Sequence, residues 1–119
     1  MDQLKATTTV RVSDLSLGRQ LVPADQLVAG EPYTGAATVG EFAQVTVGVW
    51  EMTPGVMRDV EVDEVFVVLS GTATVEFTDD TPTFDLRAGD IGRLTEGSRT
   101  IWTVTETLRK VSLTPTWPE

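Results

Sequence analysis

The sequence predicts an all-β domain, a barrel or sandwich of antiparallel strands, on three observations. Short runs rich in Val, Ile, Thr, Phe and Trp recur from Glu41 to Leu113. Gly, Pro and Asp turn signals separate them. No segment carries a sustained apolar period of a helix. The 119 residues make one domain and leave no room for a second, and 40% hydrophobic residues suffice for a core without disulfides.

From the N-terminus, Val10, Val12 and Leu15 suggest a short strand, and Pro23 with Asp25 and Gln26 opens a one-turn helix. Gly30, Pro32 and Gly35 break the next stretch of chain. Residues 1–40 therefore read as an N-terminal arm, packing on the barrel or on a second subunit, and residues 41–119 as the barrel domain. Within the barrel, Phe42, Val45, Val47, Val49 and Trp50 form the first strand, and Pro54-Gly55 turns the chain into a second over residues 56–60. Residues 65–69 are a continuous apolar strand, Ser70-Gly71 a turn, and residues 72–77 the next strand. Asp79, Asp80 and Pro82 mark a loop, Phe84 and Leu86 a short strand, and Ala88-Gly89-Asp90 a tight turn. Residues 91–94, 100–104 and 108–113 complete the series.

The chemistry is bounded by what is missing. The chain has no histidine and no cysteine, the side chains that most often bind transition metals or act as base and nucleophile near neutral pH. There is no phosphate-binding Gly-rich loop, no dinucleotide fingerprint and no serine triad. A formal charge of −9 argues against nucleic acid and against an anionic membrane surface. No apolar run approaches the roughly 20 residues that span a bilayer, and residues 1–11 lack the apolar core of a signal peptide. A cytoplasmic location is the expectation.

Several spaced pieces resemble a known family. Gly48-Val49-Trp50-Glu51, Thr53-Pro54-Gly55, Glu64 with Gly71, Ala88-Gly89-Asp90, Glu96-Gly97, Trp102-Thr103-Val104 and Leu108-Arg109-Lys110 are similar to the small single-domain cupins related to the ureidoglycine aminohydrolase and ethanolamine-utilisation cupins. That resemblance implies a cupin double-stranded β-helix, a jelly-roll barrel. It also implies where a metal set would stand. Counting back from Glu64, the family's paired histidines fall on Met57 and Asp59 in one spacing, or on Arg58 and Val60 in the other. The third histidine falls on Thr100, so only Glu64 survives. No transition-metal site and no cofactor is expected. Asp59 and Glu64 are too few for a strong oxygen-ligated site, and the run Asp59, Glu61, Asp63, Glu64 reads best as a solvated acidic turn.

Period-two alternation supplies the candidate site. With Glu64 inward, as the resemblance implies, Phe66 and Val68 share its face, while Val65, Val67 and Leu69 point outward. A strand apolar on both faces suggests cover by the arm or by a second copy, hence a homodimer. Trp50 and Trp102 flank the expected pocket with Met52 and Met57, either as a ligand-binding wall or as plain core. Arg58 and Arg99 either hold a ligand carboxylate or neutralise Glu64. Lys110 shares a strand face with Leu108 and Ser112, and so is either an inward base or anion site, or else an ion-pair partner or a surface residue. Two classes of function remain: a metal-independent binder of a small organic molecule, or a metal-independent isomerase, lyase or cyclase with Glu64 as acid or base.

Overall fold

The computed structural model describes residues 4–116. Nine strands come after a single 3-10 turn at Val12–Asp14: β1 (Arg19–Leu21), β2 (Leu27–Ala29), β3 (Tyr33–Phe42), β4 (Val45–Met52), β5 (Gly55–Val60), β6 (Glu64–Phe77), β7 (Phe84–Arg87), β8 (Ile91–Leu94) and β9 (Arg99–Pro115). All pairings are antiparallel.

Two long strands build the barrel. The second half of β9 pairs with β4 and the first half with β5, while its other edge runs along β6. β6 in turn takes β8 on its first half and β7 on its second. One sheet is thus β1-β3-β4-β9-β6-β8 and the other β2-β5-β9-β6-β7, with β6 and β9 bending from one into the other. Register between them slips at Val68/Ser70, Ser70/Thr72 and Thr72/Ala73, the bulges by which a strand turns a corner between sheets. Gly71 makes that corner: its φ is 89°, and a Cβ there would collide with the Thr107 carbonyl oxygen. Ser70-Gly71 is therefore a bend within one strand and not the turn between two strands expected from sequence. For the same reason residues 100–104 and 108–113 are one strand.

The first forty residues are more ordered than their composition suggested. The strand expected around Val10, Val12 and Leu15 is instead the 3-10 turn, whereas Pro23 does open a single turn, its carbonyl accepting from the amides of Gln26 and Leu27. β1 and β2 pair with β3 and β5 and form the short outer strands of the two sheets, the kind of brief edge that resists further pairing. Most of β3 also lies before residue 41, so the expected boundary falls inside a strand. Its Tyr-Thr-Gly-Ala-Ala-Thr sequence is a weak strand former, held extended by its pairing with β4.

The segment before β1 is pinned to the outside of the barrel by charge. Glu51 accepts from Arg19 Nε at 2.5 Å and Arg109 Nη2 at 2.6 Å, and Arg109 Nη1 also donates to the carbonyls of Val12 and Leu15. Burial pushes the Glu51 carboxyl up, but the hydrogen bonds and charges of Arg109 and Arg19 outweigh it and hold the group below its ordinary value.

Inside, the apolar core comprises Met52, Met57, Phe66, Val68, Ala73, Val75, Leu86, Leu94, Trp102, Val104 and Leu108, closed at one edge by Val22. Phe66 fits because its neighbour on β8 is Gly92, where a Cβ would run into the ring. As the alternation predicted, Glu64, Phe66 and Val68 are buried, and Val65, Val67 and Leu69 are only half-buried on the outer face.

Candidate functional site

The core fills only part of the barrel. The remainder is a cavity of about 520 Å³, opening between β3, β4, β5 and the end of β9. Its polar wall comes from Asp59, Glu61, Glu64 and Lys110, its apolar wall from Trp50 and Trp102, and its rim from threonines and Ser112. Local geometry explains the convergence. Asp59 and Glu61 are two residues apart and share a face; the chain then turns through Val62 and Asp63 and starts β6 with Glu64 again facing inward.

Lys110 is the hub. Register puts it opposite Trp50 on β4 and Val68 on β6. Its Nζ donates to Glu64 Oε2 at 2.6 Å, and lies 4.6 Å from the Phe66 ring centre, 4.9 Å from Trp102 and 5.0 Å from Trp50. Both members of the pair are nine-tenths or more buried. An ammonium is tolerable there because the carboxylate and three ring faces replace its water. The rings also touch one another, Trp50 and Phe66 each packing at a tilt against Trp102.

Glu61 is the second organising group. Its Oε2 accepts from Thr100 Oγ1 at 2.6 Å and from Trp102 Nε1 at 3.0 Å, which orients the indole in the cavity wall. Asp59 has no cationic partner among the described residues; its Oδ1 accepts only from the Val60 amide. Burial raises the Asp59 carboxyl above its ordinary value, the Glu61 charge adds to this, and the Val60 hydrogen bond and Lys110 only partly offset it. Among the described residues no buried side-chain nitrogen or oxygen lacks a partner, so the second oxygens of Asp59, Glu61 and Glu64, which make no hydrogen bond there, are open to solvent; all three residues line the cavity, and Asp59 and Glu64 also border neighbouring grooves.

The structure sorts the sequence candidates. Trp50, Trp102, Glu64 and Lys110 line one cavity, and Phe66 lies beneath Lys110, packed at a tilt against Trp102. Met52 and Met57 are not in the lining; both are core side chains, 0% and 4% exposed. Arg58 and Arg99 are also elsewhere, in a groove on the outer surface with Asp25, Gln26 and Ile101, where Arg58 Nη1 reaches the Asp25 carbonyl. The cation that neutralises Glu64 is Lys110 and neither arginine, because Arg58 alternates to the outer side of β5 between inward Met57 and Asp59. The acidic run is no simple solvated turn: Glu61 is buried, and only Asp63 faces out, toward Arg93 and the Glu96 amide. Asp59 and Glu61 were legible as an i, i+2 pair sharing a face, a signal masked by the acidity of the whole segment.

These positions do not fit a transition-metal centre. Met57 is in the core, Thr100 is bonded to Glu61, and the Lys110 ammonium stands against Glu64. Among the described residues no group of three or more His, Cys, Asp or Glu side chains is arranged to hold a metal ion, and no helix is long and apolar enough to cross a membrane.

A bent double sheet enclosing a half-open cavity defines a single-domain barrel of the cupin class. The chain belongs to the EutQ-like cupin domain family, whose model matches residues 39–111. The Clostridium difficile EutQ protein superimposes with a TM-score of 0.69 at 16% identity, covering 92% of this chain and 88% of that one. A Pseudomonas syringae protein of unknown function from the DUF861 family gives 0.71 at 17% identity, covering 84% of this chain and 44% of that one. A putative ethanolamine utilization protein Q from Salmonella typhimurium gives 0.61 at 13% identity, covering 85% and 98%. At these identities the likeness is one of fold. No curated protein matches the sequence.

Proposed function

We propose that this protein binds a small organic molecule in its barrel cavity without a transition metal, as a sensor, carrier or accessory protein. The observation that carries the reading is the cavity of about 520 Å³ lined by Trp50, Trp102, Glu64 and Lys110, within the size range of small-molecule sites. Its walls combine two indole surfaces with a few convergent polar groups, the usual make-up of such sites. The enzymatic reading, with Glu64 as acid or base of an isomerase, lyase or cyclase, has less support, because Glu64 Oε2 is committed to Lys110. Native mass spectrometry of protein purified from its own host tests the binding reading. The expected result is a retained compound, released on unfolding and lost in Trp50→Ala. Protein that carries nothing, and whose tryptophan fluorescence responds to no fraction of the host's small-molecule extract, would overturn it.

We also propose a homodimer. Val65 lies beside Leu113 and Val67 beside Ile91 on the outer face of one sheet, with Phe42 beside Val45 further along it. Phe42 and Ile91 are 77% and 71% exposed. Such a face supports association between copies. Light scattering at micromolar concentration should report a dimer, and Ile91→Asp a monomer. A monomeric wild type removes the argument.

A further inference from the structure

The charge balance of the cavity narrows what it can hold. Three carboxylates, Asp59, Glu61 and Glu64, face it against one ammonium, Lys110. That ammonium is already committed: it donates to Glu64 and is enclosed by three rings, with its side chain 6% exposed. The remaining candidate cations, Arg58 and Arg99, lie in the outer groove, which Asp59 also borders without an ion pair to either. Among the described residues an anionic ligand would therefore meet a single ammonium, its charge already balanced by Glu64, and the further like charges of Asp59 and Glu61.

The acceptors, by contrast, are in place. Glu61 and Glu64 are buried residues of the cavity lining, each with one oxygen bonded and the other without a hydrogen-bond partner among the described residues. Asp59 offers a third such oxygen. A group that brings N–H donors and positive charge satisfies these acceptors and relieves the repulsion among them. The half-buried Trp50 ring adds a surface for the hydrocarbon part of such a ligand. The raised Asp59 carboxyl is consistent with a cavity short of positive charge.

We infer that the ligand of this cavity is a small organic amine bound as its ammonium, donating to the carboxylate wall of Asp59, Glu61 and Glu64 with its carbon chain on Trp50. The inference rests on the cavity being a ligand site. The test therefore separates the two readings, using butylamine, butanol and butyrate, which share a four-carbon chain and differ in charge at neutral pH. Binding is followed by NMR through the indole N–H signals, that of Trp102 being bonded to Glu61. Butylamine should bind at least about tenfold more tightly than butanol, and butyrate more weakly still. Asp59→Asn should weaken butylamine roughly tenfold to a hundredfold and leave butanol unchanged. Should that variant not fold, the ranking of the three compounds on the wild type decides alone. Butanol or butyrate binding as well as butylamine, or an unchanged amine affinity in folded Asp59→Asn, overturns the amine assignment while leaving the cavity a ligand site. Failure of all three to move the Trp50 and Trp102 signals at millimolar concentration removes both readings.

Discussion

Replacing Lys110 by Met is the sharpest perturbation of this fold, because it removes one member of a buried ion pair while keeping most of the side chain's volume. At 2.6 Å from Glu64 Oε2 and an effective dielectric of about 20, the gross attraction is ~6 kcal/mol. Desolvation of the two ions opposes it by several kcal/mol each. The pair is therefore of little net worth against an apolar replacement of both partners, but removing only one leaves Glu64 buried without a counterion. The expected loss for Lys110→Met is about 3–5 kcal/mol. For a chain of this length that corresponds to a fall in Tm of roughly 12–20 °C. Denaturant unfolding of Lys110→Met, Glu64→Leu and the double variant forms a thermodynamic cycle. The double variant should recover most of the loss. A single-variant cost below about 1 kcal/mol, or a double-variant loss equal to the sum of the singles, would refute the buried, coupled pair.

Three further outcomes are expected. Glu51 is held below its ordinary value of 4.5, so its contribution is fully present above that pH and is lost as pH falls through the lowered value; Glu51→Gln should cost about 1.5–3 kcal/mol at neutral pH. Urea midpoints measured down the acid range should show a shallower decline for that variant, and parallel declines would count against the assignment. Asp59 has the opposite sign: raised above 3.8, its favourable contribution is present below that pH and lost as pH rises through the raised value. Asp59→Asn should then be more stable than wild type at neutral pH by under about 1 kcal/mol, converging with it in acid; a destabilised Asp59→Asn at neutral pH would contradict this. Gly71→Ala should cost at least about 2 kcal/mol, since it combines a left-handed φ with a clash against the Thr107 carbonyl; a wild-type melting temperature would show that the corner is not rigid.

The chain by itself determined the strand class and the family, and, with Glu64 inward as the family resemblance implied, the inward set Glu64, Phe66 and Val68, because period-two alternation and the spaced Gly and Trp pieces are local features of the sequence. It also excluded histidine and cysteine chemistry outright. Tertiary structure decided the rest. That residues 64–77 and 99–115 are each one bent strand comes from pairing along their full length, with Gly71 passing close to Thr107, a contact between residues far apart in the chain. That β3 is a strand comes from its partner β4, since its Gly and Ala residues have little strand preference of their own. The site divides the same way. The family resemblance placed Glu64 inward, and the alternation that carried this to Phe66 and Val68 is readable in one dimension. The choice of Lys110 over Arg58 and Arg99 as the counterion of Glu64 is not, because it depends on which cation β9 carries across to β6 and on three aromatic rings able to replace its water.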